Sequence, residues 1–294
     1  MSKLPSIKRR LVSGLSLAAA LFAAFFFLPD AFLPAVLVAI PVLMGLEFFA
    51  LLTAADLPNF NVFGSLCIAA ICVAAWYLPA QWELAVLFLC VVGILLRQFP
   101  QKNNPKPLET LGGTLLGIFY VGLLWSFLIR LVVFPEEAWR FESWGKVVWP
   151  GRCLLLYAVF AAKFTDIGAY MVGCLFGRHK LFPRLSPNKS WEGVFGGLAL
   201  GTLSGTLLVY FLPAQFAPAG LTWQRAIPVG LFLCSCGVVG DLAESLCKRA
   251  ATVKDSAGFI PGMGGTLDLL DSLLFTAPAT YLAVMVLRRF FPVG

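Results

Sequence analysis

The chain has 294 residues, of which 60% are hydrophobic and only 13% are charged, and its mean hydropathy is +0.87. An ordinary soluble domain carries roughly 25% charged residues, so this composition excludes a soluble globular protein and predicts a membrane protein. The net charge of +7 is interpreted as a basic cytoplasmic face with some attraction for anionic lipid, and nucleic acid is not an expected partner.

Long apolar runs define the predicted elements. A spanning helix needs about 20 mainly apolar residues. Because lipid cannot satisfy backbone polar groups, runs of helical character favour a helical bundle over a barrel. We therefore predict an all-α, polytopic transmembrane helical bundle with about nine spans. In chain order the predicted spans are 11–28, 31–53, 63–78, 82–96, 111–134, 153–176, 193–212, 226–240 and 271–290, of which the third, fourth and eighth are short.

Basic residues predict the orientation of the bundle. Lys8, Arg9 and Arg10 precede the first run, and a second run follows so closely that an uncleaved first span is expected rather than a secretory signal. With the N-terminus inside, most loop lysines and arginines lie on the cytoplasmic side. The bases of loop 135–152 and the Arg288-Arg289 pair do not fit this scheme. Since the chain has no transit peptide, we expect a bacterial inner membrane, with the active site on the cytoplasmic side.

Charge distribution divides the chain into two halves of one integrated membrane domain. In residues 1–134 the acids are scattered singly, so this part is expected to be a transmembrane scaffold, whereas residues 135–294 carry dense polar clusters and are expected to be the catalytic half. The latter also contains a glycine at every fourth position from 193 to 205. Such spacing lets helices approach closely in lipid, which predicts a tight seam inside the bundle or, alternatively, a homodimer contact.

The most charged stretch of the chain, residues 240–272, reads GDLAESLCKRAATVKDSAGFIPGMGGTLDLLDS. Asp241, Glu244 and Lys248 share one helical face if the eighth helix continues past its apolar run. Asp268 and Asp271 share a face at the start of the ninth. The proline and glycines between these segments exclude a regular helix there, so a loop brings two acidic helix ends toward one another.

This combination of residue types is typical of a site for nucleotide phosphates. Carboxylates can bind Mg²⁺, which prefers oxygen ligands, while lysine and arginine hold phosphate charge and glycine-rich backbone approaches an anion closely. The alternative is a charged cytoplasmic loop whose acids pair with its own bases. Four acids at two helix ends, with glycines between them, favour the functional interpretation.

A second polar group supports the first. Lys163 and Asp166 lie inside the sixth apolar run, where ionisable residues are costly and indicate function, although an internal ion pair that orders the bundle is the alternative. After that run comes SPNKSWEGVFGG, residues 186–197, which places Asn188 and Lys189 on the same cytoplasmic side. The sequence contains neither a phosphate-loop motif nor a dinucleotide-binding fingerprint, and its single histidine, His179, gives a Ser/His/Asp mechanism little support.

These motifs resemble those of a known family. Ser245-x-x-Lys248-Arg249, Lys254-Asp255, Pro261-Gly262-Met263-Gly264-Gly265 and Asp268-x-x-Asp271, at their spacing, resemble the C-terminal signature of the CDP-diacylglycerol synthases, or phosphatidate cytidylyltransferases. Asp166-x-Gly168-Ala169-Tyr170 and the segment 186–193 are similar to that family's other cytosolic motif. The match is good over 163–280 and extends to the N-terminal third only in hydropathy.

The resemblance implies the reaction phosphatidate + CTP → CDP-diacylglycerol + pyrophosphate, with Mg²⁺ as cofactor and with CTP, phosphatidate and membrane lipid as partners. The expected metal ligands are Asp241, Asp268, Asp271 and Asp166. The expected catalytic residues are Lys248, Arg249, Lys254, Asp255 and Lys189, of which Asp255 is also a candidate ligand. The residues expected to bind the nucleotide are Ser245, Gly264, Gly265 and Asn188.

The chain departs from the family pattern at two notable positions. Met263 stands where the family usually has His, and Leu269 where it usually has Arg, which removes two groups able to contact phosphate. Because the signature acids and bases remain, we expect a divergent active member. The rival interpretations are a related lipid-alcohol kinase, a membrane transporter and an inactive scaffold.

Overall fold

The computed structural model describes residues 32–133, 142–143, 146–147, 150–253, 256 and 264–291. The helices are α1 Leu33–Ala54, α2 Asn61–Tyr77, α3 Ala80–Gln98, α4 Pro107–Gly117, a π-helical segment Ile118–Leu123, α5 Leu124–Val133, α6 Pro150–Phe176, α7 Trp191–Phe211, α8 Pro213–Phe216, a 3₁₀ turn Ala217–Ala219, α9 Trp223–Ala250 and α10 Thr266–Phe290. Two small antiparallel hairpins pair β1 Glu142–Ser143 with β2 Lys146–Val147 and β3 Lys180–Phe182 with β4 Ser186–Ser190.

The predicted polytopic membrane architecture is confirmed. Seven helices of the described residues are long and apolar enough to cross a membrane, if α4, the π-helical segment and α5 are taken as one rod, and α2 is a shorter apolar helix. Leu84, Phe88 and Leu96 on α3 are each more than 60% exposed; such an apolar surface is suited to contact with lipid. The expected first span, 11–28, lies outside the described residues.

The described residues within 1–126 and 247–270 form the first of two compact units. Phe49 of α1 fits against Gly64 and Gly117, where a Cβ atom would overlap its ring. Phe48 stacks on Tyr120 with ring centroids 4.8 Å apart, and the Trp125 indole N–H donates to the carbonyl of Leu37 over 2.9 Å. Close packing of aromatic rings against helix backbone therefore joins α1, α2 and the π-containing rod.

The described residues within 127–246 and 271–294 form the second unit. Here α6 packs along α7, and the glycines of α7 meet α6 backbone carbonyls. A Cβ on Gly193, Gly197 or Gly201 would lie 2.8, 2.6 or 2.9 Å from the carbonyl oxygen of Ala169, Thr165 or Ala161 respectively. The predicted tight seam inside the bundle is thus confirmed, because these glycines bring two backbones together.

Within the same unit, α9 and α10 also approach closely through glycine. A Cβ on Gly240 would lie 2.9 Å from the Asp271 carbonyl oxygen, and one on Gly237 would lie 3.1 Å from a Thr276 methyl group. Helix α9 continues to Ala250, ten residues past the predicted apolar run 226–240. This extension is what places its acidic residues on a helix beside α10.

Candidate active site

Three carboxylates of the second unit converge where α9 and α10 pack together. Asp241 and Glu244 lie on α9 and Asp271 on α10, and one oxygen of each lies within 4.8 Å of the others. Glu244 is 1% exposed and Asp271 6% exposed, while Asp241 is half-buried. Because like charges repel strongly away from water, this acidic cluster is a site that a cation would stabilise.

The donor set of this cluster fits a hard divalent cation. All three groups offer oxygen, the ligand type that Mg²⁺ and Ca²⁺ prefer. Oxygen ligands at 2.0–2.1 Å from an octahedral Mg²⁺ lie about 2.9 Å apart when adjacent and about 4.2 Å apart when opposite. The oxygens of the acidic cluster lie within 4.8 Å of one another, a limit slightly wider than the larger of these two separations.

Lysine side chains bring positive charge to the edge of the acidic cluster. Lys189 forms an ion pair with Asp241. On α6, Lys163 Nζ lies 3.3 Å from Asp166 Oδ2 and 3.3 Å from the Ser272 hydroxyl, which itself donates to Asp166 over 3.3 Å. Asp166 is therefore connected to the residue that follows Asp271, and α6 contributes a charged pair beside the cluster.

The β3–β4 hairpin places Lys189 beside Asp241. Lys180 pairs with Ser190 across the hairpin, and the Ser190 hydroxyl then caps α7 by accepting from the Gly193 N–H over 3.2 Å. The exposed His179 ring lies 2.6 Å from the Glu192 carboxylate. Lys189 therefore lies on β4, directly before the residue that caps α7.

A second polar network lies in the first unit, at the start of α10. Asp268 accepts the Gly265 N–H and both the N–H and hydroxyl of Ser256, each over 2.8 Å, and it pairs with Lys248 at 2.7 Å. Its contact with the residue before the helix matches half of a capping box. Asp268 thereby organises the turn that opens α10.

Glu47 of α1 completes that network and is not among the site residues predicted from the sequence. Its carboxylate accepts the N–H groups of Thr266 and Leu267, both over 2.8 Å, and the Ser256 hydroxyl over 3.2 Å. The side chain is 5% exposed. The sequence contained a signal, since Glu47, like Asp166, is an acid inside an apolar run, where ionisable residues are costly.

The predicted site residues are distributed as follows. The acidic cluster unites Asp241 and Asp271 with Glu244, which the sequence analysis placed on the Asp241 face without naming it a ligand. Asp268 and Lys248 belong to the second network. Ser245 is half-buried on α9, Arg249 is exposed on its last turn, Asn188 is exposed on β4, and Gly264 has a φ of 94°. Lys254, Asp255 and Met263 lie outside the described residues.

Comparison with known sequences finds similarity to cytidylyltransferases. The sequence model of the cytidylyltransferase family matches residues 8–287. The chain is 33% identical over 276 residues to a phosphatidate cytidylyltransferase of Pseudomonas aeruginosa, covering 92% of this chain and 94% of that protein. A phosphatidate cytidylyltransferase of Bacillus subtilis is 32% identical over 197 residues, which are 67% of this chain and 64% of that protein. One of Haemophilus influenzae is 41% identical over 143 residues, which are 47% of this chain and 48% of that protein.

Proposed function

The chain belongs to the cytidylyltransferase family, and we propose that it is a phosphatidate cytidylyltransferase, which transfers CMP from CTP to phosphatidate and releases pyrophosphate. The observation that carries this proposal is the acidic cluster of Asp241, Glu244 and Asp271 beside Lys163 and Lys189. It joins cation-binding and phosphate-binding groups in a protein similar over almost its whole length to a phosphatidate cytidylyltransferase.

Mg²⁺ is the cation proposed for this reaction, with Asp241, Glu244 and Asp271 as its protein ligands. A bound Mg²⁺ would neutralise triphosphate charge and orient the reacting groups. Three buried or half-buried carboxylates, with one oxygen of each within 4.8 Å of the others, support this assignment. Asp166, bonded to Ser272, remains a candidate further ligand, and Asp268 is proposed to act through the second network.

The transfer of CMP requires the protein mainly to position two anionic substrates. An oxygen of the phosphatidate phosphate forms a bond to the α-phosphorus of CTP, and the bond from that phosphorus to the bridging oxygen of the β-phosphate breaks. Pyrophosphate takes the electron pair as it leaves. Since the lipid phosphate is largely ionised near neutral pH, no strong general base is required. Positioning the two anions and stabilising their charge is the main task of the residues.

Basic residues are proposed to hold the phosphate groups. Lys189 pairs with Asp241 of the acidic cluster, and Lys163 lies 3.3 Å from the hydroxyl of Ser272, the residue after Asp271. Lys248 and Arg249 lie in the last turn of α9. Each can donate charge-assisted hydrogen bonds to phosphate oxygen. Further residues of the signature motifs remain predicted to take part in catalysis, namely Lys254 and Asp255, or in binding the nucleotide, namely Ser245, Asn188, Gly264 and Gly265.

The apolar helices make this an integral membrane protein, which suits a substrate with two acyl chains. We propose that the acyl chains of phosphatidate stay among the helices while its phosphate reaches the polar groups. The basic loops support a cytoplasmic active site in a bacterial inner membrane. Nucleic acid has no proposed role.

A direct assay tests the proposed function. Purified protein in mixed micelles would be incubated with Mg²⁺, phosphatidate and CTP labelled at the α-phosphate, and the lipid extract counted. Label is expected in the lipid with phosphatidate and not with diacylglycerol. Label transferred from the γ-phosphate of CTP to diacylglycerol would instead indicate a lipid kinase. Absence of CTP-derived label in any lipid would refute the proposal.

A further inference from the structure

We propose that Glu47 is a positioning residue for the transfer reaction, because it fixes the turn from which the acids of α10 project. This inference rests on the proposed function but assigns a role to the N-terminal part of the chain, which the sequence predicts to be scaffold. The contact consists of the buried Glu47 carboxylate and three hydrogen-bond donors among the described residues of the first unit.

Glu47 is a buried acid in an apolar helix, and its carboxylate accepts hydrogen bonds at the start of α10. It lies inside α1, a helix of 22 mainly apolar residues, and is 5% exposed. Ionisable side chains within membrane spans are costly and are retained where they have a task. Among the described residues it accepts hydrogen bonds from the Thr266 N–H, the Leu267 N–H and the Ser256 hydroxyl. The carboxylate is therefore directed at the first N–H groups of α10, where the helix dipole is positive.

Glu47 and Asp268 divide the donors of this turn between them. Glu47 accepts the N–H groups of Thr266 and Leu267, and Asp268 accepts that of Gly265, so the N–H just before α10 and the first two N–H groups of the helix all have carboxylate partners. The Ser256 hydroxyl lies 2.8 Å from Asp268 and 3.2 Å from Glu47. The two carboxylates thus hold one turn through adjacent and shared groups.

This sharing connects Glu47 to the reactive groups of the signature. If Glu47 is removed, the N–H groups of residues 266 and 267 lose their acceptor and compete for Asp268. Asp268 also holds Lys248 at 2.7 Å, a residue proposed to bind phosphate. Asp271, a proposed metal ligand, follows three residues later on the same helix. A small rotation of the first turn of α10 would therefore misplace groups of both signs.

Gly265 provides a second, independent way to disturb the same contact. A Cβ atom at this position would overlap the Glu47 carboxylate and the Ser256 hydroxyl. Gly265→Ala should therefore displace Glu47 while leaving its charge in place. If the position of the carboxylate matters, Gly265→Ala and Glu47→Gln will have similar effects on turnover.

The test compares Glu47→Gln, Glu47→Asp and Gly265→Ala with Glu109→Gln. Glu109 is a suitable control because it is an acid of the same unit in an exposed ion pair with Lys106. For each variant, kcat, KM for CTP and melting temperature would be measured in micelles, with activity assayed well below the melting temperature. Amide hydrogen exchange of the peptide containing residues 266–267 would report the contact itself.

For Glu47→Gln we expect kcat to fall by about tenfold or more, the scale of a misplaced catalytic group, with KM for CTP within about threefold of wild type. Glu47→Asp should recover part of the loss, and exchange at 266–267 should accelerate in Glu47→Gln but not in Glu109→Gln. Unchanged kcat per folded molecule in Glu47→Gln, or unchanged exchange, would overturn the proposal while wild-type transfer continues. Inactive wild-type protein would instead refute the proposed function.

Discussion

Asp241 on α9 forms an ion pair with Lys189, the residue directly before the cap of α7. The pair joins the β3–β4 hairpin to the acidic cluster within the second unit. It places a cation at the edge of three converging carboxylates, where an anionic triphosphate and a divalent cation would both have to bind.

Replacing Lys189 should weaken binding of the triphosphate and strengthen binding of the divalent cation. In Lys189→Gln we expect kcat/KM for CTP to fall by about tenfold or more, because a charge-assisted contact to phosphate is lost. The concentration of Mg²⁺ that gives half-maximal activity should fall, because Asp241 loses its competing partner. Steady-state kinetics with varied CTP and Mg²⁺ measure both effects.

Lys180→Gln is the matched control for Lys189, since it removes an exposed lysine of the same hairpin. It should leave both constants within about twofold of wild type. Equal effects of the two substitutions would show that Lys189 acts only through general surface charge.

Asp271→Asn should abolish most of the activity. The substitution removes the charge of a buried carboxylate and places amide hydrogens against Asp241 and Glu244, so cation binding in the acidic cluster is weakened. We expect kcat/KM to fall by about 100-fold or more, as for the loss of one electrostatic contact to a transition state. Transfer of label from α-labelled CTP to phosphatidate measures it.

Asp56→Asn provides the control for Asp271→Asn. Asp56 is exposed and has a φ of 59°, a conformation that Asn also tolerates. Activity close to wild type is expected. Asp271→Asn with activity within threefold of Asp56→Asn would exclude a role for this carboxylate in transfer.

The glycine seam predicts a stability difference between two identical substitutions. Gly197→Ala places a Cβ 2.6 Å from the Thr165 carbonyl oxygen, whereas a Cβ on Gly112 meets no heavy atom within 4 Å. Overpacking of this kind costs about 1–3 kcal/mol. The melting temperature of Gly197→Ala should therefore fall by several degrees, and that of Gly112→Ala should stay equal or rise, because alanine favours helix. Thermal unfolding in detergent measures both melting temperatures. Equal melting temperatures of the two variants would contradict close packing at the glycine seam.

The sequence was sufficient to predict the membrane bundle and to single out Asp241 and Asp271 of the acidic cluster, but Glu244 was not predicted as a ligand. Hydropathy locates helices such as α1 and α7 to within a few residues. The spans that hydropathy predicts for α9 and α10 are shorter than the helices, because the helix ends that carry Asp241, Glu244 and Asp268 are polar. The π-helical segment and the two hairpins were not predicted, since hydropathy carries no information on local backbone register.

The contacts between distant parts of the chain were less predictable. Glu47 meets Thr266 across more than two hundred residues, and which helix faces α10 depends on packing that no local pattern specifies. Glu244 shows a different difficulty. Its spacing from Asp241 was recognised, but only the close approach of α9 and α10 at Gly240 brings both acids to Asp271.

The central claim is that Asp241, Glu244 and Asp271 hold a divalent cation for transfer. Its most direct test is a titration of the purified protein with Mn²⁺, followed by electron paramagnetic resonance, for wild type, Asp241→Asn, Glu244→Gln, Asp271→Asn and the Asp56→Asn control. We predict at least one tight Mn²⁺ site per chain in wild type and Asp56→Asn, and loss of that site or affinity about tenfold weaker or more in each cluster variant, since each loses one of three ligands. Mn²⁺ binding that is the same in all five proteins would contradict the claim.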